Sequence, residues 1–416
     1  MFPGCEVIDA AGQYIVPGGV DGHVHFGGFG DLPIADDFYS GSCAALAGGT
    51  TTVVDFCKPL NGQSPMDVIA RRKQDAQSSA VDYAFHFTFT ESYPEELPYL
   101  DRIYKEGITA FKVYTYYDHT SLTAGDIRTV MQTIGSGGAL LVHAEEKSII
   151  DCMKMKYKNT GSDMLPLSLT RPNIAEKLAV ENVLAISKET GTKLCIAHAS
   201  AAETVEIKKR EDCSGNKNFF LETCPHYMEF TSEKLTGEEG VLYTMNPPLR
   251  EQKDCDALMA AAMTGGISML STDHCPYLKK YKKTDTTYET VPCGIDGVQT
   301  RMEYLFSEGV IKRGLSMESF VSLTSANAAR FYNLYPKKGA ILPGSDADLA
   351  FFSINGKRIY SSREAAGNTD YTIFEGFPIL GRCTCTIKSG KIVMRNGKVS
   401  AEKGSGRFLF TKVRNV

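Results

Sequence analysis

Six side chains in this 416-residue sequence are of types that bind metal ions or move protons, and their placement repeats. His23 and His25 flank Val24, and in an extended strand residues two apart share a face, so both imidazoles point the same way. His143 ends the run Leu141-Val142, His198 follows Cys195-Ile196-Ala197, and Asp273 follows Leu270-Ser271-Thr272. A lone pair of histidines is more often solvated or packed. Five nitrogen and oxygen ligands converging from four strand ends instead form a hard-to-borderline set, suited to Zn2+ and also to Mn2+, Fe2+ or Co2+. Lys112 lies in a further run, Ala110-Phe111-Lys112-Val113-Tyr114. A bare ammonium beside two cations is repelled, so it loses its proton or is modified. Uptake of CO2 makes the amine a carbamate, an anionic ligand able to bridge two ions. A lysine snorkelling to a rim fits the same spacing, and spacing alone leaves both open.

The elements that must position these groups follow from the alternation of short apolar runs with longer amphipathic ones. Strands are expected at 19–25, 50–56, 82–88, 109–114, 139–145, 193–199, 219–224 and 267–273. Helices are expected at 36–47, 65–75, 124–134, 175–187, 202–209 and 251–263. Eight strands alternating with helices over this length predict an α/β fold, a (β/α)8 TIM barrel, which typically takes ~250 residues. A doubly wound sheet lacks its Gly-rich dinucleotide fingerprint here. From Lys338 the texture changes to a small C-terminal β-rich module, with strands at 339–341, 348–352, 384–388 and 391–395. Turns at Pro343-Gly344, Ser389-Gly390 and Asn396-Gly397 separate them. The segment 278–287 is expected as a loop.

Composition narrows the function. With 45 Lys+Arg against 49 Asp+Glu, the chain lacks the electrostatic footprint of a nucleic-acid binder. No apolar run approaches the ~18 residues of a membrane span, and the start Met1-Phe2-Pro3-Gly4-Cys5-Glu6 has no signal-peptide pattern. Twelve scattered cysteines, with Cys383 and Cys385 the one close pair, are expected as reduced thiols in a cytoplasmic protein.

The His-x-His, Lys, His, His, Asp series resembles the binuclear-metal amidohydrolase superfamily. The local words Pro17-Gly18-Gly19-Val20-Asp21-Gly22-His23-Val24-His25, Phe111-Lys112-Val113-Tyr114, Glu222-Thr223-Cys224-Pro225-His226-Tyr227, Pro247-Pro248-Leu249-Arg250 and Asp273-His274-Cys275 resemble those of the hydantoinase/dihydropyrimidinase family, the cyclic amidases. So do 306–310, 324–330 and 344–349, and the resemblance runs in order along nearly the whole chain.

The resemblance implies two divalent ions, expected as Zn2+. His23 and His25 would hold the more buried ion, Asp273 would complete it, and Lys112, carbamylated to N6-carboxylysine by CO2, would bridge to the ion held by His143 and His198. A bridging hydroxide is then the nucleophile and Asp273 the proton carrier. Tyr117 matches the family tyrosine that donates to the oxyanion. Asn246, where relatives usually have Ser, and Cys293, where they have Asn in Pro-Asn-Gly, are the expected substrate contacts whose change bears on ring specificity. The implied activity is metal-dependent hydrolysis of a ring imide or ureide, a hydantoin or dihydropyrimidine, to an N-carbamoyl amino acid. Allantoinase is the alternative, on 294–299 and His226, and a non-catalytic dihydropyrimidinase-like scaffold ranks below it. The expected partner is a small cyclic ureide or imide, with no nucleic acid or membrane, and the chain is expected to form a homo-oligomer, a tetramer or dimer.

The expected division is 1–17 as the remnant of a partial β-sandwich whose N-terminal strands are missing, 18–337 as the barrel, and 338–416 as the β-module and tail. His86 is expected as a packed barrel histidine, His119 on the rim, His226 near the site, and His274 facing away from it. Part of the substrate choice is expected in the loops 26–34 and 115–123.

Overall fold

The computed structural model describes residues 7–28, 33–60, 62–158, 160–283 and 286–413. Eight strands, Gly19–Asp21, Thr50–Cys57, Asp82–Thr88, Ala110–Tyr114, Ala139–His143, Lys193–Ile196, Phe219–Thr223 and Met269–Leu270, pair in sequence order. Every pairing is parallel. A bridge between Val24 and His274 brings the last strand back to the first, with the His25 amide donating to the His274 carbonyl at 2.9 Å. The α/β barrel expected from the alternation is therefore present.

The amphipathic runs form the outer helices, and their ends follow local chemistry. In Ala124–Ile134 the Thr123 side chain and Asp126 cap one another, and Ile127, Val130, Met131 and Ile134 bury one stripe. Pro65–Asp75 starts after a Ser64 cap with proline in its first turn. The strands between are covered on both faces: all eight residues of Thr50–Cys57 and all seven of Asp82–Thr88 are buried. That is why they read as continuous runs.

Period-two alternation sorts the two faces. Val20, Val54, Phe56, Ala84, Ala110, Leu141 and Cys195 pack inside the barrel, while Val53, Phe85, Phe87, Phe111, Val113, Leu140 and Val142 pack against the helices. Lys112 lies two residues after Ala110 and His143 two after Leu141, so both side chains enter the barrel. Several ladders stop short of the runs expected to be strands, at Asp21, Ile196 and Leu270. The chain leaves the ladder at the barrel mouth because His198 (φ 38°) and Asp273 (φ 51°) take left-handed backbone conformations.

A second, antiparallel sheet runs in the order Tyr14–Pro17, Leu349–Ser353, Arg382–Lys388, Lys391–Arg395, Lys398–Val399. Its two tight hairpins use Ser389-Gly390 (φ 49° and 78°) and Asn396-Gly397 (φ 51° and 81°), the paired positive φ that matches strand twist. Residues 339–341 form no ladder; Gly339 is left-handed (φ 77°) and turns against Ala326 and Ala329. An edge of the sheet is filled from the N-terminal side, with Tyr14 opposite Phe352 and Pro17 opposite Leu349.

Asp82 ties this sheet to the barrel. It opens the third barrel strand and pairs with Lys338 at 2.6 Å, Lys388 at 2.8 Å and Arg407 at 3.0 Å. Burial pushes its carboxyl up, but Lys338 and Lys388 outweigh this and hold it well below the usual carboxylate range. Asp82→Asn leaves buried ammonium groups short of a counter-charge and is expected to cost ~3–5 kcal/mol in urea denaturation. A carboxylate whose pKa falls on folding contributes fully above its unfolded value of ~4 and loses that contribution as pH drops. The stability gap between the two proteins should therefore close below pH ~4.

Every cysteine among the described residues is a free thiol. No helix among them is long and apolar enough to cross a membrane. The described residues of the segment expected as a loop, 278–287, include a short turn at Lys279–Tyr281 and no strand. The expectations for 1–6, for 29–32 within the first substrate loop, for 284–285 and for 414–416 lie outside the described residues.

Candidate active site

At the C-terminal ends of the barrel strands lies a cavity of about 460 Å3. His23, His25, Lys112, His143, His198 and Asp273 all line it, as do Tyr117, Asn246, Cys293 and His226. Residues far apart in the chain thus share one space, and three of them, Tyr117 (φ 130°), His198 and Asp273, hold left-handed backbones. Strain of this kind persists only where the surroundings over-determine it, and it concentrates at functional sites.

Asp273 Oδ1 lies 3.1 Å from His23 Nε2 and 2.9 Å from His25 Nε2. His23, His198 and Asp273 each turn a ligand atom toward a common point. On the other side, His143 Nδ1 faces His198 Nε2 at 2.9 Å. Two imidazole nitrogens with converging lone pairs at this distance share at most one proton or accept a cation between them. Burial opposes protonation of His23, yet Asp273 and Glu222 outweigh it and raise its pKa to about 9. Burial also pushes Asp273 up, but His23 and His25 hold its carboxyl well below the usual range. The first cluster therefore favours positive charge between its members.

In the second cluster burial prevails. It lowers His143 to about 4 and holds His198 well below its ordinary value, so both are neutral imidazoles with lone pairs to offer. Lys112 is fully buried, its Nζ has no hydrogen-bond partner, and its closest aromatic neighbour is Tyr114, 4.8 Å from ring centroid to Nζ. Burial lowers it to about 8, against Asp273 and Glu222. His198 Nδ1, His226 Nε2 and Asn246 Oδ1 are likewise buried without partners. Orphaned polar atoms of this kind call for a ligand, and the donor set of imidazoles, carboxylate and an unprotonated-prone amine fits divalent metal ions.

A model of the Amidohydrolase family matches residues 14–393. The chain is also 35% identical over 418 residues to the D-hydantoinase of Geobacillus stearothermophilus, a match that spans 98% of this chain and 88% of that one. The chain belongs to the amidohydrolase family, on its hydantoinase branch. Identity to the D-hydantoinase of Streptomyces coelicolor is 32% over 98% of this chain and 89% of that one. The crystal structure of dihydropyrimidinase from Brevibacillus agri NCHU1002 superposes with a TM-score of 0.94 at 32% identity, over 100% of this chain and 92% of that one.

In this amidohydrolase a shell of carboxylates orients the histidines, and the sequence reading did not single it out. Glu222 Oε1 accepts from His23 Nδ1 at 2.8 Å, and Glu145 Oε2 accepts from His143 Nε2 at 2.7 Å. Such partners set the tautomer and the basicity of a ligating imidazole. Burial pushes the Glu145 carboxyl up, but Arg171 and His143 together hold it far below the usual range. Arg171 Nε lies 3.1 Å from both Glu145 oxygens, and its NH2 reaches the Tyr117 hydroxyl at 3.5 Å. A signal for the carboxylates was present: Glu145 is two residues beyond His143, and Glu222 interrupts the apolar strand Phe219–Thr223 on its inward face. Arg171 left no such trace.

The other histidines take ordinary roles. His86 Nε2 bonds the Gly22 carbonyl at 3.0 Å, and its ring stacks on Phe56. His274 points away from the cavity, Nε2 on Asp36 at 3.0 Å and Nδ1 accepting from the Gly297 amide. His119 is exposed in a turn.

Proposed function

We propose that this chain hydrolyses the ring amide of a cyclic ureide or imide, a hydantoin or dihydropyrimidine, to an N-carbamoyl amino acid. The observation that carries it is the meeting of His23, His25, His143, His198 and Asp273 around a buried, unpartnered Lys112. The names of the relatives add support, since they are hydantoinases and a dihydropyrimidinase. They favour those rings over allantoin, and the full set of ligand-type residues weighs against a non-catalytic scaffold.

In this reading His23, His25, Asp273, His143, His198 and Lys112, the last as its carbamate, would hold two divalent ions, with Zn2+ as the expected metal. The ions would polarise the ring carbonyl and supply an activated water as nucleophile. The depressed pKa of Lys112 leaves more of its amine neutral, so Nζ can bond the carbon of CO2 and release a proton. Asp273 is kept ionised by its histidines. It accepts the proton of the attacking water and delivers it to the leaving ring nitrogen. Burial pushes the Tyr117 phenol above its usual range, so it stays protonated and can donate to the carbonyl oxygen as charge develops there. Asn246 and Cys293 line the same cavity and would contact the ring edge. A cytoplasmic location and a homo-oligomer, tetramer or dimer, complete the proposal.

Tyr117→Phe removes one donor and keeps the ring that packs 5.0 Å from His143. It is expected to lower kcat by ~10²–10³-fold with a small change in KM, measured by steady-state hydrolysis.

The test of the whole reading is elemental analysis of protein purified without added metal, with hydrolysis of hydantoin, dihydrouracil and allantoin assayed on the same sample. About two metal ions per chain and opening of the first two rings are expected. Failure to open any ring after loading with Zn2+ and bicarbonate would sink the proposal.

A further inference from the structure

Among the described residues, four cationic side chains line the cavity: Lys58, Lys112, Lys154 and Arg171. Arg171 is neutralised by Glu145, and Lys112 belongs to the proposed metal centre. Lys58 and Lys154 remain, and neither forms an ion pair or hydrogen bond with any described residue. Each rests only against an aromatic face, Lys58 Nζ 5.5 Å from the Tyr114 ring centroid and Lys154 Nζ 5.4 Å from that of Tyr116. The carboxylates lining the cavity do not balance them. Asp273 is shared between His23 and His25, and Asp118 and Glu289 are exposed on the rim.

Lys58 is the better placed of the two. It follows directly on the buried strand Thr50–Cys57, so the barrel ladder fixes its backbone. It shares the Tyr114 ring with Lys112, and that ring lies 5.6 Å from the rings of both His143 and Tyr117. Its ammonium is thus one aromatic ring away from the atoms that would hold the reacting carbonyl. Half-buried and without a counter-ion among the described residues, it lowers its free energy by meeting an anion. Burial holds its pKa below the ordinary lysine value, in keeping with that cost.

We propose that this cavity selects cyclic ureides whose ring substituent carries a carboxylate, with Lys58 as the residue that receives it. The inference rests on the hydrolysis proposed above. Water adds across the ring amide, its oxygen bonding the carbonyl carbon and its proton passing to the released nitrogen. The product is an N-carbamoyl amino acid with a second carboxylate in its side chain.

The experiment compares kcat/KM of the metal-loaded, full-length enzyme for 5-(carboxymethyl)hydantoin and for its uncharged amide counterpart, 5-(carbamoylmethyl)hydantoin. The wild type is expected to prefer the acid by ~10–100-fold, the scale of a hydrogen bond to a charged group. Lys58→Met should bring that ratio close to one, and Lys58→Arg, which keeps the charge, should preserve most of it. A wild-type ratio near one, or a ratio that survives Lys58→Met, overturns the inference. The amide substrate separates the two levels. If it is opened without a preference for the acid, the specificity reading alone fails; if neither ring is opened, the hydrolase reading fails and takes this one with it.

Discussion

Asp273→Asn is expected to lower kcat by ~10²–10⁴-fold, the range of a general acid–base contribution. The substitution keeps the shape of the side chain and removes both its charge and its capacity to carry a proton. Asp273 Oδ1 is an acceptor that His23 and His25 share, so two imidazoles lose a charged partner at once. His23 owes its raised pKa to Asp273 first and Glu222 second, against burial. In the variant that pKa should fall, and an NMR titration of the metal-free protein would show it. Steady-state assays on metal-loaded protein would measure the kinetic loss. A kcat within tenfold of the wild type would mean that the proton travels by another route.

Lys112→Ala is expected to be more severe, on the order of 10³-fold or beyond, because in the proposed mechanism carbonyl polarisation and water activation both depend on Lys112 as a metal ligand. Lys112 is wholly buried and its Nζ has no hydrogen-bond partner among the described residues. Its removal therefore breaks no hydrogen bond, and the variant should remain folded by circular dichroism. Metal content should drop in the same preparation. The space vacated by the side chain can admit a short carboxylate, so propionate added with Zn2+ should restore part of the activity. A fully active, fully loaded Lys112→Ala protein would exclude the carbamate role.

The groups expected to carry these effects are held in place by residues outside the proposed chemistry. Glu222 and Glu145 turn His23 and His143 toward the cavity, and Arg171 links Glu145 to the Tyr117 hydroxyl. Their bonds span sequence separations from 2 residues for His143–Glu145 to 199 for His23–Glu222. Only the first lies within the reach of a local pattern.

By itself the sequence determined the period and the order. Alternation with a repeat of two places Lys112 beside Ala110 and His143 beside Leu141, and residue type then decides that an amine and an imidazole enter the barrel. The helix stripe at Ile127, Val130, Met131 and Ile134 and the two-residue turns Ser389-Gly390 and Asn396-Gly397 were legible for the same reason: each depends on neighbours a few residues away. The tertiary structure alone decided what depends on distant packing. It ended the ladders at Asp21, Ile196 and Leu270, closed the barrel through Val24 and His274, and turned His198 and Asp273 into left-handed backbones that aim them inward. It paired Tyr14–Pro17 with Leu349–Ser353 across more than 300 residues, and it left 339–341, which the sequence had suggested as a strand, outside any ladder. It also left Lys58 against Tyr114 with no carboxylate among the described residues to answer it, because an ion pair is a property of which surfaces meet, and no periodicity encodes that.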